Sequence, residues 1–191
     1  MKSILALITL LTVQAAALAG VDFGSPSSTP YDRYLGPVRE VLGTLSKEKP
    51  TMQRVQTLMS QGRSFRYHMD NPYVPAAPAL TAKNREGDCK DKALWLCEQL
   101  NDASVRFVIG KATRNARMSH AWVMWENEGR YWILDCTLKS APIAADTLSA
   151  GTYIPQFSYA KNGSFRHSEN QTGVAAVATR KNPAVGAGEQ K

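Results

Sequence analysis

The stretch GDCKDKALWL, residues 87–96, places Cys89 directly behind Asp88 and at the head of an apolar run with helical spacing. Asp88 suits an N-cap, which puts Cys89 in the first helical turn. Unsatisfied backbone N–H groups and the helix dipole favour an anion there, and the thiolate is the form of cysteine that attacks. Lys90 and Lys92 add positive field. The same N–H groups could steady the oxyanion of an acyl intermediate. Taken alone, a first-turn cysteine reads as a buried structural thiol, and a partner base is needed to overturn that reading.

A base stands downstream in SHAWVMWENEGRYWILDCT, residues 119–137, where period-two alternation marks two strands around a tight turn. A two-residue loop at Asn127–Glu128 would set His120 directly opposite Asp135, with Cβ atoms about 5 Å apart on one sheet face. An aspartate there accepts the Nδ1–H of His120, fixes its tautomer and balances an imidazolium. A three-residue loop ending at Gly129 would shift that register unless a bulge compensated. A histidine beside tryptophans is also compatible with a structural role. Cysteine, histidine and aspartate together favour catalysis.

The elements that must hold these residues follow from periodicity. YLGPVREVLGTL and TMQRVQTLMSQG carry helical spacing, with Thr51 as N-cap and Gly62 as stop of the second. NPYVPAAPALTAKNREG has three prolines and no period, and reads as a loop delivering the chain to Cys89. Between Asp88 and Asn101, the set Ala93, Leu94, Leu96, Cys97 and Leu100 marks one buried helix face. VRFVIG reads as a strand before the hairpin, and one further short strand is expected near Tyr153. Helices first and strands second point to α+β.

The chain has 191 residues, enough for one compact domain. Its net charge of +7 is scattered, with no run of four cations, so a nucleic-acid stripe is not expected. Residues 1–19, MKSILALITLLTVQAAALA, carry one cation, an apolar run and a small-x-small end, the pattern of a secretory signal. Polar residues break that run, so a membrane anchor is the weaker reading. Residues 20–30 read as an exposed leader, and 168–191 as a disordered tail rich in Ala, Gly, Asn and Gln. In an oxidising compartment, the three cysteines leave at least one thiol unpaired. Cys97 and Cys136 read as core thiols, and a disulfide between them would leave Cys89 free. Trp122, Trp125 and Trp132 read as packing, with Trp122 placed to shield the site. Asn84 is a weak candidate oxyanion donor, while His68 and His167 have no evident ligand partners.

GDCKDKALWL followed by SHAWVMWENEGRYWILDCT resembles the transglutaminase-like superfamily, and within it the bacterial transglutaminase-like cysteine peptidases. The match spans roughly residues 50–140 and includes the proline-containing lead-in to the cysteine. The resemblance implies Cys89 as nucleophile, His120 as base and Asp135 as the residue orienting it. It also implies a papain-like core over residues 31–167, with the cysteine-bearing helix packed on an antiparallel sheet. Some members bind calcium near acidic residues flanking the cysteine. Lys90, standing between Asp88 and Asp91, speaks against calcium here, so no metal or cofactor is expected.

Two function classes compete. The first is an exported cysteine hydrolase that cleaves an amide or peptide bond in an envelope protein or peptide, in the periplasm or outside the cell. An amine in place of water would give transglutamination from the same triad. The second is a binding or scaffold domain that keeps the fold without turnover. The intact triad favours the first.

Overall fold

The computed structural model describes residues 23–168; the signal segment 1–19 and the tail beyond Ser168 lie outside the described residues. Helices come first. Gly36–Thr44 (α1) starts with Pro37 in its first turn, where the missing N–H costs nothing. Met52–Ser64 (α2) is capped by Thr51, whose side chain accepts from the Arg54 N–H at 3.2 Å. Gly62 does not stop α2 but lies inside it. A Cβ there would come 2.8 Å from the Trp95 ring and 2.9 Å from Cys136 Sγ, so glycine permits a close approach.

The proline-rich lead-in is also more ordered than its composition suggests. Pro78–Asn84 forms a short helix (α3) with Pro78 at its start. Arg85 leaves it in the left-handed region, with φ at 52°. Two-residue strands Arg66–Tyr67 (β2) and Glu86–Gly87 (β3) then pair in parallel. This ties the lead-in to the end of α2 just before Cys89.

Cys89–Leu100 (α4) is the central helix. Leu94, Trp95, Leu96 and Cys97 are all buried, so the helix is enclosed nearly all round rather than along one stripe. Behind it lies a seven-stranded antiparallel sheet. Its strands are Ser25–Pro26 (β1), Arg106–Thr113 (β4), His120–Asn127 (β5), Arg130–Leu134 (β6), Ile143–Ala144 (β7), Thr152–Ala160 (β8) and Gly163–Arg166 (β9). Their spatial order is β1-β9-β8-β4-β5-β6-β7. Within the expected leader, Ser25 and Pro26 are exposed yet tied down, adding a strand to the sheet edge through β9, while Thr29 is buried. The expected short strand at Tyr153 is nine residues long, with β9 paired beyond it.

Strand alternation divides the core. Phe107, Ile109, Val123, Trp125 and Tyr159 meet the helices, while Val108, Trp122, Met124, Ile133 and Tyr153 pack on the other face. The fold is α+β, with the cysteine-bearing helix on an antiparallel sheet. Among the described residues, no helix is long and apolar enough to cross a membrane.

Candidate active site

Local hydrogen bonds fix the start of α4. Asp88 Oδ1 accepts the N–H groups of Lys90 (3.0 Å) and Asp91 (3.4 Å), and Asp91 Oδ2 accepts the Asp88 N–H at 3.0 Å. This reciprocal capping box satisfies orphan donors at the helix end. Gly87 makes room for it, because a Cβ there would sit 2.7 Å from Asp91 Cβ. Asp91 Oδ1 also accepts the N–H of Ala76 at 2.8 Å, fastening the lead-in loop to the helix start. The Lys90 ammonium pairs closely with Asp88 and lies 3.7 Å from Asp91, and all three side chains are buried. Burial raises the Asp91 pKa, backbone hydrogen bonds and Lys90 working against it.

The hairpin turn falls at Glu128–Gly129, one residue later than the Asn127–Glu128 reading. Both residues have positive φ (53° and 75°), the geometry of a tight turn that matches strand twist. Asn127 pairs with Arg130 and Val123 with Leu134. Continued by one residue, this register sets Asp135 across from Trp122 and on a diagonal from His120. The two residues still share a face, because strand side chains alternate with period two. Their bond forms: His120 Nε2 lies 2.8 Å from Asp135 Oδ2. The aspartate thus engages Nε2, not the expected Nδ1, while Cys89 stands near enough to His120 to act on its charge, both side chains lining one cleft.

Asp135 is almost fully buried yet well satisfied. Tyr153 Oη donates to Oδ2 at 2.8 Å, and the N–H groups of Thr137 and Leu138 donate to Oδ1 at 3.0 and 3.2 Å. Burial would raise its pKa, but the His120 bond and charge, with Tyr153, hold it below the usual carboxylate range. Burial alone would lower the pKa of His120. The Asp135 hydrogen bond and the nearby Cys89 win, and the imidazole pKa rises to about 9. The Trp122 ring stacks on His120 with centroids 6.1 Å apart, and Tyr153 meets Trp122 edge-on at 5.4 Å. Tyr153 was missed by sequence reasoning, since a tyrosine on a strand carries no local sign of a carboxylate partner on another.

Cys89 is half-buried and lines a cleft of about 510 Å³, together with His120, Asp88 and Lys90. Asn84 is an exposed residue at the end of α3 and does not line this cleft, so the structure does not bring it to the site. The cap already takes the Lys90 and Asp91 amides, so they are not available to an oxyanion either. All three cysteines are free thiols, and no Cys97–Cys136 disulfide is formed. Cys136 Sγ instead donates to the Lys92 carbonyl at 3.6 Å, and burial pushes its pKa to about 12. His68 is exposed, and His167 is buried with its Nε2 2.9 Å from Ser158 Oγ.

No family model and no curated protein matches the sequence. Solved structures do match the fold. Legionella pneumophila LapG is 18% identical, with a TM-score of 0.50 over 73% of this chain and 81% of that chain. Calcium-bound LapG from the same organism gives the same identity and score over 76% of this chain and 85% of that chain. The likeness is one of fold, and the fold is the one that the transglutaminase-like resemblance implies.

Proposed function

We propose that this chain is an exported cysteine hydrolase acting on an amide or peptide bond through Cys89, His120 and Asp135. The observation that carries the reading is the His120–Asp135 hydrogen bond beside Cys89, with the thiol and the imidazole lining the same open cleft. With its pKa raised to about 9, His120 is protonated at neutral pH, which suits a thiolate–imidazolium pair.

In this scheme, the thiolate sulfur attacks the carbonyl carbon and the carbonyl π electrons move to oxygen. The Cys89 N–H, which the Asp88 side chain does not take, is the donor assigned to that oxyanion. As the intermediate collapses, the C–N bond breaks and His120 gives its Nδ1 proton to the leaving amine. Water then attacks the thioester while His120 takes a proton from it. The C–S bond breaks, the acid leaves, and the ion pair is restored. Asp135 holds the ring through Nε2 and balances its charge.

No metal is assigned to this chemistry. The calcium-bound LapG structure makes the ion a fair question, and the acidic pair beside Cys89 is the place to ask it. There the Lys90 ammonium already bridges Asp88 and Asp91, so the cation position between them is filled by the protein itself. Among the described residues, no three His, Cys, Asp or Glu side chains gather as ligands.

Iodoacetamide at near-neutral pH tests the nucleophile. Cys89 should be modified well ahead of buried Cys97 and Cys136, and Cys89→Ser should abolish the fast phase. Equal slow labelling of all three would favour the scaffold reading. Comparison of envelope proteins from cells carrying wild type or Cys89→Ala would then identify the substrate, and amine-linked products would indicate transglutamination instead.

A further inference from the structure

Large exposed apolar side chains crowd around one place. Tyr67, Met69, Tyr73, Met118 and Leu138 are each 47–64% exposed, and every one lines the cleft that holds Cys89. Exposed apolar groups scattered singly need no explanation, but a contiguous patch around a reactive group marks a binding surface.

The two walls are held in place. On one side, Asn71 Oδ1 accepts the N–H groups of Tyr73 (3.0 Å) and Val74 (3.2 Å), and the Tyr73 ring stacks on Tyr34 with centroids 4.9 Å apart. The Ala76 bond to Asp91 anchors that loop to the helix start. On the other side, Lys111 Nζ donates to the Arg117 carbonyl at 2.8 Å, bracing the segment that carries Met118. These side chains are therefore presented, not loosely splayed.

The charges inside the cleft are already spoken for. Asp88 and Lys90 pair with each other, and His120 is bound to Asp135. A charged substrate side chain entering there would lose water and meet no free counter-charge. A bulky uncharged one would bury apolar surface on both walls. A volume of about 510 Å³ lies within the usual range for ligand sites.

We infer that the cleft selects peptide segments carrying a bulky, uncharged apolar side chain beside the scissile carbonyl, gripped between Tyr73 and Met118. This rests on the reading of Cys89 as nucleophile. The test uses acetyl-dipeptide acyloxymethyl ketones with Phe, Leu, Asp or Lys next to the ketone. Cys89 sulfur bonds to the methylene carbon, and the carboxylate leaves. The Phe and Leu probes should label Cys89 about tenfold faster than the Asp and Lys probes, as apolar pockets typically discriminate. Met118→Ser should narrow that ratio, whereas Leu80→Ser, an exposed apolar residue off the cleft, should leave it alone. Equal or faster labelling by the charged probes, with iodoacetamide still singling out Cys89, would overturn the inference and spare the nucleophile. Failure of iodoacetamide to single out Cys89 would remove both.

Discussion

His120 reaches Asp135 on a diagonal of the hairpin, Nε2 to Oδ2 at 2.8 Å, and the same carboxylate oxygen accepts the Tyr153 hydroxyl at 2.8 Å. Tyr153 comes from β8, a strand on the far side of β4 and β5 from the hairpin's second strand. The orienting carboxylate is thus clamped from two directions, with both oxygens occupied. That clamp makes the roles of the two residues separable.

Asp135→Asn should keep the fold and lose about 10²-fold in kcat/KM, roughly 2.7 kcal/mol of barrier. The amide matches the carboxylate in shape but carries no charge to balance the imidazolium, and it can present a donor to the wrong tautomer. Tyr153→Phe should cost less, about tenfold, because it removes one bond to the carboxylate and leaves the charge. Thermal unfolding alongside peptide turnover checks both. Full turnover by a normally melting Asp135→Asn variant would reduce the mechanism to a Cys89–His120 dyad.

A second expectation concerns pH. Folding raises the His120 pKa from an ordinary 6.5 to about 9, so the folded state binds this proton more tightly than the unfolded one. The stabilisation is fully present below about pH 6.5 and is lost as pH climbs through about 9. It amounts to about 3 kcal/mol at 1.36 kcal/mol per unit. Urea unfolding of wild type between pH 6 and 10 should show this fall, and His120→Gln should flatten it. Turnover should fall through the same upper limit, since the imidazolium is the acid. A wild-type profile parallel to that of His120→Gln would contradict the assignment.

Lys90→Met leaves Asp88 and Asp91 buried without their ammonium. Removing one partner of a buried pair costs about 3 kcal/mol, and the loss should shrink at acidic pH, where protonation relieves the stranded charge. For wild type, chelator treatment should change neither melting temperature nor iodoacetamide rate, because the cation between these carboxylates is covalently part of the chain. A chelator-induced fall in either would show that a metal acts here.

Gly110 sits at an irregularity where β4 shifts register against β8. A Cβ at this position would fall 2.1 Å from the Ile154 carbonyl oxygen and 2.8 Å from the Trp122 ring. Gly110→Ala should therefore destabilise the fold by about 3 kcal/mol through forced movement of backbone and ring. It should also disturb His120, which Trp122 stacks upon. A chemical denaturation midpoint unchanged from wild type would refute this.

Several features of the protein were legible in residue order because they depend on neighbours along the chain. The Asp88 cap of α4 needs only residues up to three positions on, and the alternation of β5 needs only its own run. Thr51 capping α2 belongs to the same class. The hairpin was legible too, but its register was misplaced by one residue at the turn, because ENEG admits either Asn127–Glu128 or Glu128–Gly129. Period two preserves the shared face of His120 and Asp135 across that change, as their positions shift from opposed to diagonal.

Tertiary structure decided what depends on residues far apart in sequence. α3 forms in a segment whose prolines suggested a loop, because Pro78 starts it and β3 pairs its far end with β2. Gly62 looked like a helix stop, yet its role comes from Trp95 and Cys136 packing against it. The choice of Nε2 over Nδ1, the second clamp from Tyr153, and the apolar walls meeting over Cys89 all arise the same way. Chain order and periodicity specify which face a side chain takes. Which atoms then meet depends on how distant segments pack, and that information is spread over the whole fold.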